Sequence, residues 1–92
     1  MGNARFYGGS KIISLNGGTS VSLLTSSEIN DLFGVSNSSP SNTAVFVSNG
    51  DGNSCGLHFE GTTFINNVWR TVFNEAAGSV AARFNYLVAY WG

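Results

Sequence analysis

Apolar and polar residues alternate in short runs along most of this chain, and clusters of Gly, Asn and Ser separate the runs. Alternation with a period of two is typical of β-strands that bury one face. The pattern predicts strands at residues 11–15, 19–23, 43–48, 56–60, 64–73 and 79–91. Because Asn16, Gly17 and Gly18 have the chemistry of a tight turn, the first two strands are predicted to form a hairpin. A polar turn at residues 49–54 is predicted to join the next two strands.

One segment departs from this alternation. Thr25 and Glu28 have the spacing of a capping box, in which each side chain bonds the backbone N–H of the other residue. Apolar residues on either side of the cap are placed to form a hydrophobic staple, and Gly34 is suited to end the helix in a left-handed conformation. These signals predict one short helix over residues 26–33, which closes one end of a sheet sandwich.

The predicted strand at residues 79–91 carries apolar residues on both of its faces. One face has Phe84, Tyr86, Val88 and Tyr90, and the other has Arg83, Asn85, Leu87, Ala89 and Trp91. A chain of 92 residues has too small a core to cover both faces easily. The second face is therefore expected to meet another element or another subunit.

Together these elements predict an all-β fold, a small antiparallel β-sandwich or jelly-roll-like domain with one short helix near residues 26–33. The length fits one domain, so residues 1–92 are assigned to a single β domain. Residues 1–10, which are rich in Gly, are assigned to a flexible or connecting start.

Charged residues are scarce, at 10% of the chain compared with about 25% in an average soluble domain. The net charge of −1 provides no field that would attract nucleic acid or anionic lipid. No apolar run approaches the roughly 20 residues of a membrane span, and the first residues lack the layout of a secretory signal. We therefore expect no nucleic-acid partner, no membrane insertion and no signal peptide. The single cysteine, Cys55, cannot form a disulfide within the chain.

Cys55 and His58 are the pair that most resembles a catalytic or metal-binding set. On an extended strand, residues three apart point to opposite faces, so a direct hydrogen bond between this pair would require a bulge. A metal site requires three or four ligands, and only Glu60 lies nearby. We expect no enzyme activity, no bound metal and no cofactor.

The loop at residues 49–60 also has oxygen ligands at alternate positions and Glu60 at the twelfth, as in a calcium-binding helical hand. Its sixth position is Ser54 instead of Gly, and predicted strands flank it instead of helices. A hairpin turn therefore explains the loop better than a calcium site does.

Aromatic residues are numerous, with seven Phe, three Tyr and two Trp. Aromatic rings beside amide and acid groups are what a sugar-binding surface requires, although the same rings also fill cores and subunit interfaces. Trp is suited to stacking on a sugar and Arg to binding an acidic or polar group. The candidate ligand-binding residues are Trp69, Arg70, Asp51, Asn53, His58, Tyr90 and Trp91, and the candidate contact loops are residues 49–54 and 75–78.

The second part of the chain resembles the C-terminal head domains of bacteriophage tail fibres and related receptor-binding proteins. The resemblance covers about residues 24–92. It is a resemblance of layout, carried by residues 42–53, 64–69, 73–74 and 78–91, the last of which contain the run Arg-Phe-Asn-Tyr. It implies a compact tip that forms a homotrimer and binds a glycan or protein of the host-cell surface. It also implies a place in the virion, at the tip of the fibre, for a chain made in the host cytoplasm, with residues 1–10 leading to a shaft.

A second hypothesis belongs to a different class. The same apolar strand would serve a structural virion or assembly protein, such as a capsid-decorating or baseplate subunit, that has no ligand. Rings buried wholly in subunit contacts would favour that role, whereas a groove lined by exposed rings would favour glycan binding. An apolar strand that needs a partner is compatible with a dimer as well as with a trimer.

Overall fold

The computed structural model describes residues 3–92. Within that part of the chain there are six β-strands and one α-helix. In chain order the elements are β1 (Arg5–Ser14), β2 (Ser20–Thr25), α1 (Ser26–Phe33), β3 (Thr43–Asn49), β4 (Phe59–Ile65), β5 (Val68–Phe73) and β6 (Ala81–Tyr90).

The strands form two three-stranded antiparallel sheets. The first has the order β1-β6-β3 and the second the order β2-β5-β4, and we call them the β6 sheet and the β5 sheet after their central strands. Buried residues of both sheets contribute to one hydrophobic core. The structure therefore confirms the prediction of an all-β, sandwich-like fold with one short helix.

The centre of the core is aromatic. Phe73 of β5 and Phe84 of β6 are buried, and their rings stack across the sandwich with centroids 6.2 Å apart. Phe59 of β4 packs against both rings, at centroid distances of 5.7 and 6.0 Å. Each fully buried ring of this kind contributes about 1.5–3 kcal/mol to stability. The inward side of β6 is the face that carries Phe84, Val88 and Tyr90, as the alternation predicted.

Helix α1 has the boundaries and the caps that the sequence predicted. The Thr25 side chain accepts a hydrogen bond from the Glu28 backbone N–H at 3.1 Å, and the Glu28 carboxylate accepts one from the Thr25 N–H at 3.0 Å. Gly34 ends the helix with φ of 66° and ψ of 38°, and Ile29 is fully buried. In residues 3–92, no helix is long and apolar enough to cross a bilayer.

The predicted hairpin between the first two strands is wrong, because β1 and β2 belong to different sheets. The turn that joins them runs beside the segment before β6 instead of folding back on itself. There the Leu15 N–H donates to the Val80 carbonyl at 2.9 Å, and the Ala77 N–H donates to the Gly18 carbonyl at 2.8 Å. Strands β3 and β4 are likewise in different sheets, so the polar loop between them crosses from one sheet to the other.

The segment predicted as one strand over residues 64–73 is a hairpin. Strand β4 extends to Ile65, β5 begins at Val68, and Asn66 and Asn67 form the turn with φ of 52° and 63°. Asn tolerates this left-handed conformation better than most residues, and positive φ at both central positions is typical of a two-residue hairpin turn. The predicted alternation within β5 is confirmed, since Trp69, Thr71 and Phe73 are its buried residues.

The assignment of residues 1–10 to a flexible start also requires correction. Residues 5–10 form the first part of β1, where they pair with the C-terminal part of β6 from Arg5 opposite Tyr90 onwards. The two glycines of this segment did not suggest a strand, because glycine disfavours one. Residues 1 and 2 lie outside the described residues.

Candidate binding surfaces

The loops at residues 50–58 and 74–80 lie side by side at one end of the sandwich, which we call the loop end. The carboxylate of Glu75 accepts a hydrogen bond from the His58 backbone N–H at 3.1 Å and lies 3.3 Å from His58 Nδ1. The Asn53 side chain donates to the Ala81 carbonyl at 2.9 Å. His58 and Asn53 are exposed, so the loop end is a polar surface whose loops are held in place by hydrogen bonds.

Asp51 is the centre of the first of these loops. Its Oδ1 accepts hydrogen bonds from the N–H groups of Asn53 and Ser54, both at 3.1 Å, and its Oδ2 accepts one from the Arg83 N–H at 3.1 Å. The carboxylate therefore connects the loop to β6. No group of three or more His, Cys, Asp or Glu residues suited to holding a metal occurs among residues 3–92.

Cys55 and His58 are both exposed at the loop end. The Cys55 thiol donates to the Gly52 carbonyl at 3.2 Å, whereas the His58 ring faces Glu75. The two side chains thus have different partners within their own loops.

Trp69 and Arg70 point to opposite faces of the β5 sheet. Trp69 is only 6% exposed, and its ring packs against Phe64 with centroids 5.0 Å apart. The Arg70 guanidinium donates to the hydroxyl groups of Ser20 and Ser22 on the neighbouring strand β2, at 3.1 and 2.8 Å. The two predicted contact residues therefore do not form one site.

Tyr90 and Trp91 lie at the end of the sandwich opposite the loop end. Tyr90 is 2% exposed, its ring stacks on Phe33 of α1 at 5.4 Å, and the Arg5 guanidinium lies 5.2 Å from its centroid. Trp91 is half-buried, and its N–H donates to the Asn42 carbonyl at 2.9 Å. The seven predicted ligand-binding residues are consequently divided between the two ends, the core and, for Arg70, the outer face of the β5 sheet. Trp and Tyr serve as core residues as readily as they serve as surface rings.

An apolar surface that the sequence only partly indicated covers the outer side of the β6 sheet. Phe6 of β1, Phe46 of β3 and Leu87 of β6 are 64%, 56% and 41% exposed, and we call these three residues the apolar outer face. Leu87 lies directly opposite Phe46 in the register of β3 and β6. Leu87 was assigned to this side by the alternation of β6, whereas Phe6 and Phe46 were not singled out. The alternation of β3, in which Phe46 lies between the inward residues Val45 and Val47, was the signal for Phe46.

A groove of about 440 Å³ runs along the side of the sandwich where β3 and β4 are the edge strands. Residues 43–47 line one side, residues 59–62 line the other, and Trp69 completes the lining. Glu60 is the charged residue of this lining. A volume of this size is within the range of ligand-binding clefts.

Comparisons of this chain with protein-family models, with curated proteins and with solved structures find no match.

Proposed function

We propose that this protein is a non-catalytic binding domain, the receptor-binding tip of a phage tail fibre, which binds a host cell-surface glycan or protein. In this proposal three copies associate through the apolar outer face, and the loop end contacts the ligand. Residence in the virion and the absence of catalysis are parts of the same proposal.

The observation that supports self-association most is the exposure of the apolar outer face. Phe6 and Phe46 each expose more than half of their surface, and Leu87 lies between their strands. Contiguous exposed apolar surface is uncommon on soluble monomers and typically marks an interaction surface. The scarcity of charge in the chain favours close contact between copies as well.

The loop end supports ligand binding for a different reason. Its exposed amide, imidazole and carboxylate groups are held by the hydrogen bonds of Asp51, Asn53 and Glu75. Groups that are fixed before binding lose less conformational entropy when a ligand arrives. Residues 50–58 and 74–80 contain no Trp, Tyr or Phe, so recognition at this end would depend on hydrogen bonds instead of on stacking by such rings.

Light scattering on the purified chain over a wide range of concentration tests self-association. The wild type is expected to have the mass of a trimer. The trimer of the double variant Phe6→Ser with Leu87→Ser is expected to dissociate at a protein concentration at least about tenfold higher than the wild-type trimer does, because apolar burial is lost at each interface. Ile65→Ser is the matched control, since Ile65 is 55% exposed but lies on β4 of the other sheet. A wild type that stays monomeric at every concentration would contradict the proposal.

Glycan-array screening and binding to bacterial cells test the ligand. The wild type is expected to bind at least one surface glycan or one host strain. His58→Ala and Glu75→Ala are expected to weaken that binding, whereas Ile65→Ser should not change it. Binding that these two loop-end variants leave unaltered would place the contact elsewhere.

A second candidate, a structural assembly subunit without a ligand, is favoured by one observation. The rings of Trp69 and Tyr90, which a sugar would stack on, are buried in the isolated chain. A stable oligomer that binds no glycan and no cell would support this second candidate over the first.

A further inference from the structure

The outer edge of β3 has backbone groups available for another strand. Within the described residues, β3 pairs with β6 alone. The Gly50 N–H and the Asn42 carbonyl both bond to the β6 side, each at 2.9 Å. Because successive residues of a strand turn their N–H and C=O groups to opposite sides, residues 43, 45 and 47 turn theirs away from β6. The Val45 carbonyl agrees with this geometry, but it already accepts a hydrogen bond from the Thr62 hydroxyl of β4 at 3.0 Å, so an added strand has to displace that hydroxyl.

Apart from the hydrogen bond from Thr62, this edge lacks the features that protect the other strand edges of the sandwich. Charged residues, bulges and proline are the usual features that prevent another strand from pairing with an edge. Strand β1 carries Arg5 and Lys11, and β2 and β4 each contain a register shift. Strand β3 is a run of seven residues with no charge and no proline, and it pairs with β6 in continuous register. Its sequence, rich in Val and Phe, favours the extended conformation.

The groove described above lies along this edge and is predominantly apolar. Val45, Val47 and Phe59 are among its lining residues, and all three pack on the hydrophobic core. Trp69 also lines it, and the buried indole N–H of that residue has no acceptor among residues 3–92. An occupant of this groove would therefore cover apolar side chains on one side and meet strand backbone on the other.

Glu60 gives the groove its charge. It is exposed, and no ion pair or side-chain hydrogen bond involves it in the part of the chain that the structure describes. The other residues of the lining are uncharged, so the complementary occupant carries a cation at this position.

We propose that the groove binds an extended peptide segment, which adds to β3 as a fourth strand of the β6 sheet and places a Lys or Arg side chain against Glu60. The backbone of the segment exchanges hydrogen bonds with Val47 and, once it displaces the Thr62 hydroxyl, with Val45. Its inward side chains cover the apolar lining. A free sugar has no extended backbone to pair with β3. The groove is distinct from the loop end, so this inference does not depend on the proposed function.

A labelled synthetic peptide of alternating Val and Thr with one central Lys is the probe, and fluorescence anisotropy measures its binding. The same peptide with N-methyl groups on the residues that pair with β3 is expected to bind at least about tenfold more weakly, because two or more hydrogen bonds are lost. The version with Glu in place of Lys is expected to bind more weakly than the Lys peptide. In an NMR titration, the amide signals of Val45 and Val47 should shift first.

Variants of the protein test the charge. Glu60→Gln is expected to weaken binding of the Lys peptide by about two- to fivefold, the range expected for the loss of an exposed ion pair. Added salt should reduce this difference in affinity. Glu60→Lys should reverse the preference, so that the Glu peptide binds better than the Lys peptide. Asp31→Asn is the matched control, since it removes one exposed negative charge from α1 and should leave peptide binding unchanged.

Three results would overturn the inference. The first is that the N-methylated peptide binds as tightly as the unmethylated peptide. The second is that the Lys peptide binds Glu60→Gln as tightly as it binds the wild type. The third is that the NMR signal shifts are confined to residues away from β3 and β4. A dimer that pairs β3 with β3 and excludes the peptide would also overturn it, since a second copy would then occupy the edge. Self-association through the apolar outer face is measured separately with the Phe6 and Leu87 variants, so failure of one proposal is distinguishable from failure of the other.

Discussion

The ring of Tyr86 on β6 covers Gly9, its cross-strand partner on β1. A Cβ atom at Gly9 would lie 2.6 Å from the Tyr86 hydroxyl oxygen and 2.7 Å from Cζ, closer than a Cβ atom approaches non-bonded heavy atoms in folded proteins. The glycine that weakens β1 as a strand is thus the residue that allows the ring to lie flat across it. An aromatic neighbour of this kind compensates for the packing that a strand glycine lacks.

Gly9→Ala is therefore expected to destabilise the protein by about 1 kcal/mol in the free energy of unfolding, the lower end of the range for overpacking, because the partly exposed end of the ring must move. Gly8→Ala is the matched control. A Cβ at Gly8 would meet its nearest atoms at 3.9 and 4.0 Å, which is ordinary contact, so stability should stay unchanged or rise slightly. Urea titrations of the two variants measure the difference. Equal stability of the two variants would contradict the role given to Tyr86.

Gly50→Ala should have a larger effect than Gly9→Ala. A Cβ at Gly50 would lie 2.7 Å from the carbonyl oxygen of Arg83, which is backbone and is held by the Gly50 N–H itself. We expect a loss of about 3 kcal/mol, at the upper end of the range for overpacking. At Gly52, two residues along the same loop, a Cβ would have no atom within 4 Å. Gly52→Ala should therefore leave the melting temperature nearly unchanged.

Asp51 is expected to stabilise the loop end and not to bind calcium. Its two carboxylate oxygens accept three backbone N–H groups, so Asp51→Ala should cost about 1–3 kcal/mol. Asp51→Asn retains one side-chain oxygen that can accept the N–H groups of Asn53 and Ser54, so it should lower the free energy of unfolding by less than Asp51→Ala does. A calcium chelator should leave the melting temperature of the wild type unaltered, and a fall in that temperature would show a bound ion.

The Glu28 carboxylate is expected to make stability depend on pH. Partial burial raises the pKa of Glu28, but the hydrogen bonds from Lys11 and from the Thr25 N–H lower it by more, so the net pKa lies below its ordinary value of 4.5. Ionised Glu28 therefore contributes stability above the unfolded-state pKa, and the contribution is lost as the pH falls through the lower folded-state value. Glu28→Gln should have a lower free energy of unfolding than the wild type at neutral pH. This difference should become smaller below pH 4.5.

Chemical denaturation at a series of pH values measures this effect. The ion pair with Lys11 is partly exposed, with 44% of the Glu28 side-chain surface accessible, so its share is at most about 1 kcal/mol. Asp31→Asn, which removes an exposed carboxylate from the same helix, is the control, and its stability should vary with pH in the same way as that of the wild type. A constant difference between Glu28→Gln and the wild type at all pH values would refute the assignment.

The features that depend only on residues close together in the sequence were predictable from it. The cap of α1 needs only Thr25, Glu28 and Gly34, and the alternation of β5 needs only its own side chains. Which strands pair was not predictable in the same way. The turn at Asn16, Gly17 and Gly18 suits a hairpin locally, yet its backbone bonds to the segment before β6, more than fifty residues further along the chain. Tertiary contacts of this length leave no local signal.

The candidate binding surfaces likewise depend on features that are local in the sequence and on features that only the assembled fold defines. Trp69 and Tyr90 have side chains that suit a sugar site, but the same large rings fill the core, and the composition of a strand does not say which of its faces turns inward. The apolar outer face depends on β1 and β3 flanking β6, an arrangement that the strand order alone defines. The edge of β3 was hidden for the same reason, because an edge exists only once the sheets are assembled.

The position of β6 between β1 and β3 has a consequence for how the chain folds. Ser14 pairs with Ala81 and Arg5 with Tyr90, so the addition of β1 to the β6 sheet closes a loop that includes most of the sequence. Contacts between such distant residues slow folding, to a timescale on the order of milliseconds to seconds for small β proteins. A chain under synthesis carries β1 and β3 unpaired until β6 has left the ribosome, and during that interval their apolar residues are open to aggregation.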